Sequence, residues 1–207
     1  MARDAKMSDV ESFVRFCESE FGAAGMDREA AYLSQFLESN ERVLDVGAGV
    51  GSIEVRLPAH DIVGLDISNA LVRTARSRVD GQFVVGDARA LPISTVGVDT
   101  VFFVATLEFI PEIGSALAEA NRVLRSDGVL AALWLNTRST SVQSNLQREG
   151  SYFQQMAHRD TDELATTIAD SVDVEREYFL GIRNESVFET DDHEEAALPA
   201  VAGNPIP

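Results

Sequence analysis

Five short apolar runs, Arg42 to Val46, Ile62 to Asp66, Gln82 to Val85, Thr100 to Val104 and Val129 to Leu135, recur along the chain at intervals filled by amphipathic segments. Near-continuous Val, Leu and Phe are what strands covered on both faces need, so the pattern predicts a parallel sheet flanked by helices. The connections agree. Ser68 can N-cap a helix bearing Leu71, Val72, Ala75 and Val79 on one stripe up to Gly81, and a helix from Glu112 to Arg125 places Ile113, Leu117, Ala120 and Leu124 inward. Before the first strand, Phe13, Val14, Cys17 and Phe21, then Tyr32, Leu33, Phe36 and Leu37, fall at helical spacing on either side of a Gly22–Gly25 break, which predicts two helices. After Leu135 the pattern changes: Asn136 to Gly150 reads as a mobile loop with short helical pieces, Asp160 to Ser171 as a helix, and Glu175 to Ile182 and Leu198 to Gly203 as strands. Glu185 to Glu195, with six acids and no Lys or Arg, reads as a solvated loop.

A length of 207 residues favours one domain, with N-terminal helices over 1–41, a ligand-binding core over 42–136 and a variable region with the last strands over 137–207. Cys17 is the only cysteine, which excludes an intrachain disulfide, a Cys-based zinc cage and a CxxC redox pair; on its helical stripe it reads as core packing. No metal site is expected. The start, MARDAKMSDVESF, lacks the apolar run of a signal peptide, and no apolar stretch nears the roughly 20 residues that span a bilayer, so a soluble cytoplasmic protein is expected. The formal charge of −17 argues against nonspecific grip on nucleic acid or an anionic membrane. Lys6 is the only lysine among 17 basic residues, and with the acid excess this resembles the composition of salt-adapted cytosolic proteins.

The most informative stretch is Val43-Leu-Asp-Val-Gly-Ala-Gly-Val-Gly51, a buried strand running straight into Gly47, Gly49 and Gly51. Glycines there let backbone N–H groups approach a ligand that a side chain would block. The dinucleotide fingerprint GxGxxG would need a third glycine at Ser52, so the spacing departs from it. The next strand ends in Gly64-Leu-Asp-Ile-Ser68, placing Asp66 where a carboxylate can accept from both hydroxyls of a ribose. The third ends in Gly86-Asp-Ala88. Ligands of open α/β sheets bind outside the strand carboxyl ends, so the three elements converge on one pocket.

Four ordered motifs, VLDVGAGVG, VGLDIS, VVGDARALP and DTVFFVATLEFI with the downstream LRSDGVLAAL, resemble the class I S-adenosylmethionine-dependent methyltransferases, most nearly the small-molecule type 11. The resemblance covers about residues 40–136. It implies a Rossmann-like three-layer α-β-α sandwich with a seven-stranded, mostly parallel sheet whose last strand is antiparallel. It also implies S-adenosyl-L-methionine as cofactor and S-adenosyl-L-homocysteine as product. By the same carry-over, Asp45, Gly47, Ala48 and Gly49, with Gly51 completing the loop, meet the methionine end; Asp66 and the adjoining Ile67 meet the ribose; and Asp87 and Ala88 meet the adenine. Thr106, Leu107 and Glu108 line the donor pocket near the methyl group. Pro199 and Pro205 sit awkwardly with a final strand, since proline is disfavoured inside central strands.

The expected partner is a small or medium organic acceptor, bound by a monomer or homodimer. In-line methyl transfer relies on alignment more than on covalent help, so the absence of a catalytic triad is no objection. Glu108 and His158 are the candidates for a base; His193, in the same C-terminal region, is a base by residue type only, and His60 reads as a surface residue. Val104 runs into Ala105-Thr-Leu-Glu, without the Asn/Asp-Pro-Pro-aromatic motif that resembling enzymes use on exocyclic or amide nitrogens, and oxygen, nitrogen, carbon and sulfur acceptors all stay open. The alternatives are a noncatalytic S-adenosylmethionine-binding or scaffold protein and, against the evidence of Ser52, an NAD-dependent oxidoreductase.

Overall fold

The computed structural model describes residues 5–39, 41–172 and 176–206. The apolar runs form strands of one sheet: β1 (Arg42–Val46), β2 (Asp61–Asp66), β3 (Gln82–Val85), β4 (Val98–Val104), β5 (Leu124–Leu133), β6 (Glu177–Arg183), β7 (Ser186–Phe188) and β8 (Ala196–Gly203). They lie in the order β3-β2-β1-β4-β5-β8-β6-β7. The first five pair in parallel, and β8 runs antiparallel to both β5 and β6. The expected reversed strand is therefore present, inserted beside β5. The expected start of the sixth strand at Glu175 lies outside the described residues.

An eighth strand is a correction to the sequence reading. Asn184 and Glu185 take φ of 49° and 55°, the left-handed pair that makes a two-residue hairpin turn matching the strand twist. The beginning of the acidic stretch thus folds back on β6 as β7, with Arg183 over the Phe188 ring. Pro199 is tolerated inside β8 because the β6–β8 ladder is irregular beside it, between Tyr178 and Leu180.

The helices are α1 (Met7–Glu18), α2 (Glu20–Leu33), α3 (Asn69–Arg78), α4 (Ile113–Val123), α5 (Thr140–Gln147) and α6 (Thr161–Ala169). The N-terminal pair breaks at Ser19 rather than at the glycines: its backbone is extended and its hydroxyl accepts the Gly22 N–H, capping α2. Gly22 is needed inside α2 because a Cβ there would overlap the Phe16 carbonyl. Ser68 caps α3 as expected, accepting from Leu71 N–H. Helix α4 stops at Val123, two residues short of expectation, because its last carbonyls accept from Val96 and Gly97 and Leu124 already pairs with Val98. The stretch expected as a mobile loop contains α5, capped by Ser139 and anchored by buried Val142.

Alternation along the central strands feeds two cores. Leu44, Val46, Val101, Phe103 and Trp134 pack toward α4 and α6, while Val43, Phe102, Ala131 and Leu133 pack toward α2 with Ile53 and Ile62. Residues 45 and 64, two residues past Val43 and Ile62, share that second face at the carboxyl edge of the sheet.

Candidate cofactor site

The sheet order reverses between β1 and β4, and the carboxyl ends there bound the crevice where open α/β sheets take ligands. Gly47, Gly49 and Gly51 all have positive φ, at 93°, 56° and 77°, a region side-chain-bearing residues adopt only under strain. Gly47 is also sterically required, since a Cβ would overlap the Thr106 side chain arriving from the end of β4. Gly51 turns away from the crevice: its Cβ would stand 2.8 Å from Val79 and 3.0 Å from the Phe83 ring, so its role is packing of the loop against the sheet.

Asp66 ties the loop together. Its Oδ2 accepts from Gly49 N–H at 3.0 Å and its Oδ1 from Ser68 N–H at 2.8 Å, so the carboxylate sets the glycine loop and the start of α3 in one frame. Ile67 beside it is exposed. Asp87 sits at the same sheet edge but closes on its own turn, with Arg89 bound bidentately to it and also to Glu112. That hydrogen-bonded guanidinium holds the Asp87 carboxyl below the usual range. Ala88 packs against the main core.

Thr106 follows Ala105, itself at φ 47°, and donates to the Val104 carbonyl at 2.9 Å. The Leu107 side chain, expected to line the pocket, is fully buried in the core with Trp134 and Leu130, leaving only its backbone at the crevice. Glu108 is fully buried. Its Oε1 accepts from Leu135 N–H at 2.9 Å, and Oε2 has no partner among the described residues. Burial pushes its carboxyl up to about 7, against the pull of those backbone donors. Its carbonyl accepts from Ala157 and His158. His158 Nε2 lies 2.9 Å from the Ile110 carbonyl, which can only accept, so Nε2 carries the hydrogen and Nδ1 is the basic atom. His193 is exposed, its ring 6.3 Å from that of Tyr178, and His60 is half-buried.

Three further residues join the site that sequence periodicity did not single out for it. Phe13 of α1 lies over the glycine loop, 3.3 Å from where a Gly49 Cβ would stand; its only sequence signal was an aromatic on a helical stripe. Tyr152 stacks on Phe109 at 4.6 Å and lies within electrostatic reach of both Asp66 and Glu108. Glu54, directly after the loop, is 6% exposed, beside Asp45 at 2%.

The unpartnered Asp45 Oδ1 beneath the glycine loop suits a ligand that brings a cation to the carboxylate, while the Gly47, Ala48, Gly49 and Gly51 N–H groups already donate to Leu65, Asp66 and Ala48 and hold the loop in shape. The ammonium of an amino-acid end is such a cation.

Residues 44–132 match the family model for a methyltransferase domain. Relatives include a malonyl-[acyl-carrier protein] O-methyltransferase of Geobacter sulfurreducens, 32% identical over 129 residues that make up 53% of this chain and 48% of the relative. Another is the ubiquinone/menaquinone biosynthesis C-methyltransferase of Dinoroseobacter shibae, 36% identical over 108 residues, 45% of this chain and 42% of that one. The chain spans about half the length of the curated relatives it matches. The crystal structure of a Thermotoga maritima S-adenosylmethionine-dependent methyltransferase superposes with a TM-score of 0.78 at 21% identity, covering 94% of this chain and 95% of that one. The fold is shared with that methyltransferase structure, and residues 44–132 are similar to the methyltransferase-domain family.

Proposed function

We propose that this chain transfers a methyl group from S-adenosyl-L-methionine to a small or medium organic acceptor. The observation that carries the reading is the pair of left-handed glycines, Gly47 and Gly49, latched by Asp66 at the carboxyl edge of the sheet. When bound, S-adenosyl-L-methionine would supply an electrophilic methyl on a sulfonium sulfur, with S-adenosyl-L-homocysteine as the product left behind. The protein's part is alignment, worth up to roughly 7–11 kcal/mol in well-aligned intramolecular reactions. Asp45, Gly47, Ala48 and Gly49 would hold the methionine end, Asp66 with Ile67 the ribose, and Asp87 with Ala88 the adenine side. Thr106 and the backbone of Leu107 would bound the methyl end.

An acceptor that arrives protonated needs a base. Glu108, with one oxygen held by Leu135 and the other unpartnered, is better suited to that role than His158. The relatives' names, a malonyl-[acyl-carrier protein] O-methyltransferase and a ubiquinone/menaquinone biosynthesis C-methyltransferase, support an organic acceptor and guide the choice no further. The test is transfer of an isotope-labelled methyl group from S-adenosyl-L-methionine to a panel of small organic acids, phenols and amines. Labelled product with the native chain and at least a hundredfold less with Asp66→Ala supports the assignment; equal labelling by both contradicts it.

A further inference from the structure

Glu54 stands in a place that only the sheet explains. Asp45 of β1 and Gly64 of β2 are register partners and face the same way, and Gly64 in turn pairs with Phe83 of β3. Because Gly64 has no side chain, the face is open there. The Phe83 ring and the Glu54 carboxyl share the gap, at 2.5 Å and, for Oε1, 2.6 Å from where a Gly64 Cβ would be. The Glu54 carboxyl is thereby pressed beside Asp45, within carboxyl-to-carboxyl hydrogen-bond reach.

Neither acid has a neutralising partner among the described residues. Asp45 Oδ1 and both Glu54 oxygens lack any donor among the described residues. The groups facing them are Asp66 from the end of β2, which is itself an acid, and the apolar Phe83 ring from β3. Arg56, two residues on, is turned away to Asp27 and to the Ser52 and Ala23 carbonyls. Two buried carboxyls in contact without a cation cannot both ionise and hold one proton between them. Burial first, and then Glu54's neighbouring charge, drive the Asp45 carboxyl upward, in agreement with the geometry.

We propose that Glu54 is a positioning residue for the cofactor's amino-acid end, forming with Asp45 a one-proton carboxyl pair that gives up its proton when a ligand ammonium settles on Asp45. This rests on the cofactor reading above. The balance is simple: the pair with one proton, plus a ligand bearing an ammonium, becomes a doubly ionised pair holding that ammonium, plus one proton in solvent. A proton leaves as a positive charge arrives, so the buried charge changes little. Affinity for ligands that carry the amino-acid end therefore rises with pH, approaching tenfold per unit on the acid side of the pair's titration. A nucleoside lacking that end gains nothing.

The experiment is calorimetric titration of the full chain at about pH 6.5 in buffers of different ionisation enthalpy, which counts protons exchanged on binding. The ligands are S-adenosyl-L-homocysteine and 5′-methylthioadenosine, which lacks the amino-acid end. The expected result is net release of about half to one proton with the first and none with the second. In Glu54→Gln, S-adenosyl-L-homocysteine should bind without release. Binding of S-adenosyl-L-homocysteine to the native chain with no proton release, or equal release with both ligands, overturns the proposal and leaves the cofactor reading standing. No binding of S-adenosyl-L-homocysteine at all overturns the cofactor reading and the proposal with it. The native-chain comparison decides the matter even if Glu54→Gln does not fold.

Discussion

Asp66 and Glu108 show how differently two acids at one sheet edge are employed. Asp66 spends both oxygens on backbone N–H groups of the loop and of α3, so removing it costs loop geometry as well as any ligand contact. Glu108 is a buried acid with a folded-state pKa of about 7 against an ordinary value of 4.5. The folded state therefore binds its proton more tightly than the unfolded chain does. That contribution is complete below about pH 4.5 and is lost as pH rises through about 7, some 3 kcal/mol in all. Thermal melts should accordingly show Glu108→Gln more stable than the native protein at pH 8 and close to it near pH 4; equal melting temperatures at both values would mean that Glu108 ionises freely. The glycines and Asp66 were legible from sequence because loop chemistry follows the chain. Glu54 was not, because its contact with Asp45 exists only through the empty face at Gly64 across a parallel ladder. The burial of the Leu107 side chain was hidden for a related reason: a motif places a residue near the crevice without saying which way its side chain turns.

Element boundaries turned on single capping groups. The expected break at Gly22–Gly25 falls instead at Ser19, and Gly22 survives inside α2 only because the Phe16 carbonyl lies against it. Gly22→Ala should cost about 1–3 kcal/mol in chemical denaturation, the usual range for forcing a methyl into packed backbone; an unchanged midpoint would show that the α1–α2 corner yields freely. Asn136, 1% exposed, joins the end of β5 to β8: its amide donates to the His193 and Ala196 carbonyls and its oxygen accepts from Arg138 N–H. Asn136→Ala leaves those groups unpaired and should cost about 2–4 kcal/mol, measured the same way. The five parallel strands were readable because each is apolar on both faces. The β6–β7 hairpin was not, because an acidic stretch gives no apolar run and its turn depends on left-handed Asn184 and Glu185 rather than on glycine.

At the scale of the whole molecule, the charge of −17 is spread over a surface whose described ion pairs all use arginine, among them Arg28–Glu189, Arg56–Asp27, Arg78–Glu18 and Arg122–Glu119. Such pairs are mostly exposed and each contributes about 0–1 kcal/mol, too little to offset self-repulsion of the acid excess. Screening should therefore stabilise the fold, and the melting temperature should rise between about 0.1 and 1 M KCl, where the Debye length shrinks from roughly 10 to 3 Å; a fall would show that the arginine pairs outweigh the repulsion. Among the described residues no helix is long and apolar enough to cross a membrane. The central claim is that the Gly47–Gly49 loop, latched by Asp66, is a cradle for S-adenosyl-L-methionine. Calorimetry of the native chain, Gly49→Leu and Asp66→Ala against S-adenosyl-L-methionine and NAD tests it most directly. The native chain should bind S-adenosyl-L-methionine in preference to NAD, with binding lost in both variants; preference for NAD, or undiminished affinity in both variants, would contradict it.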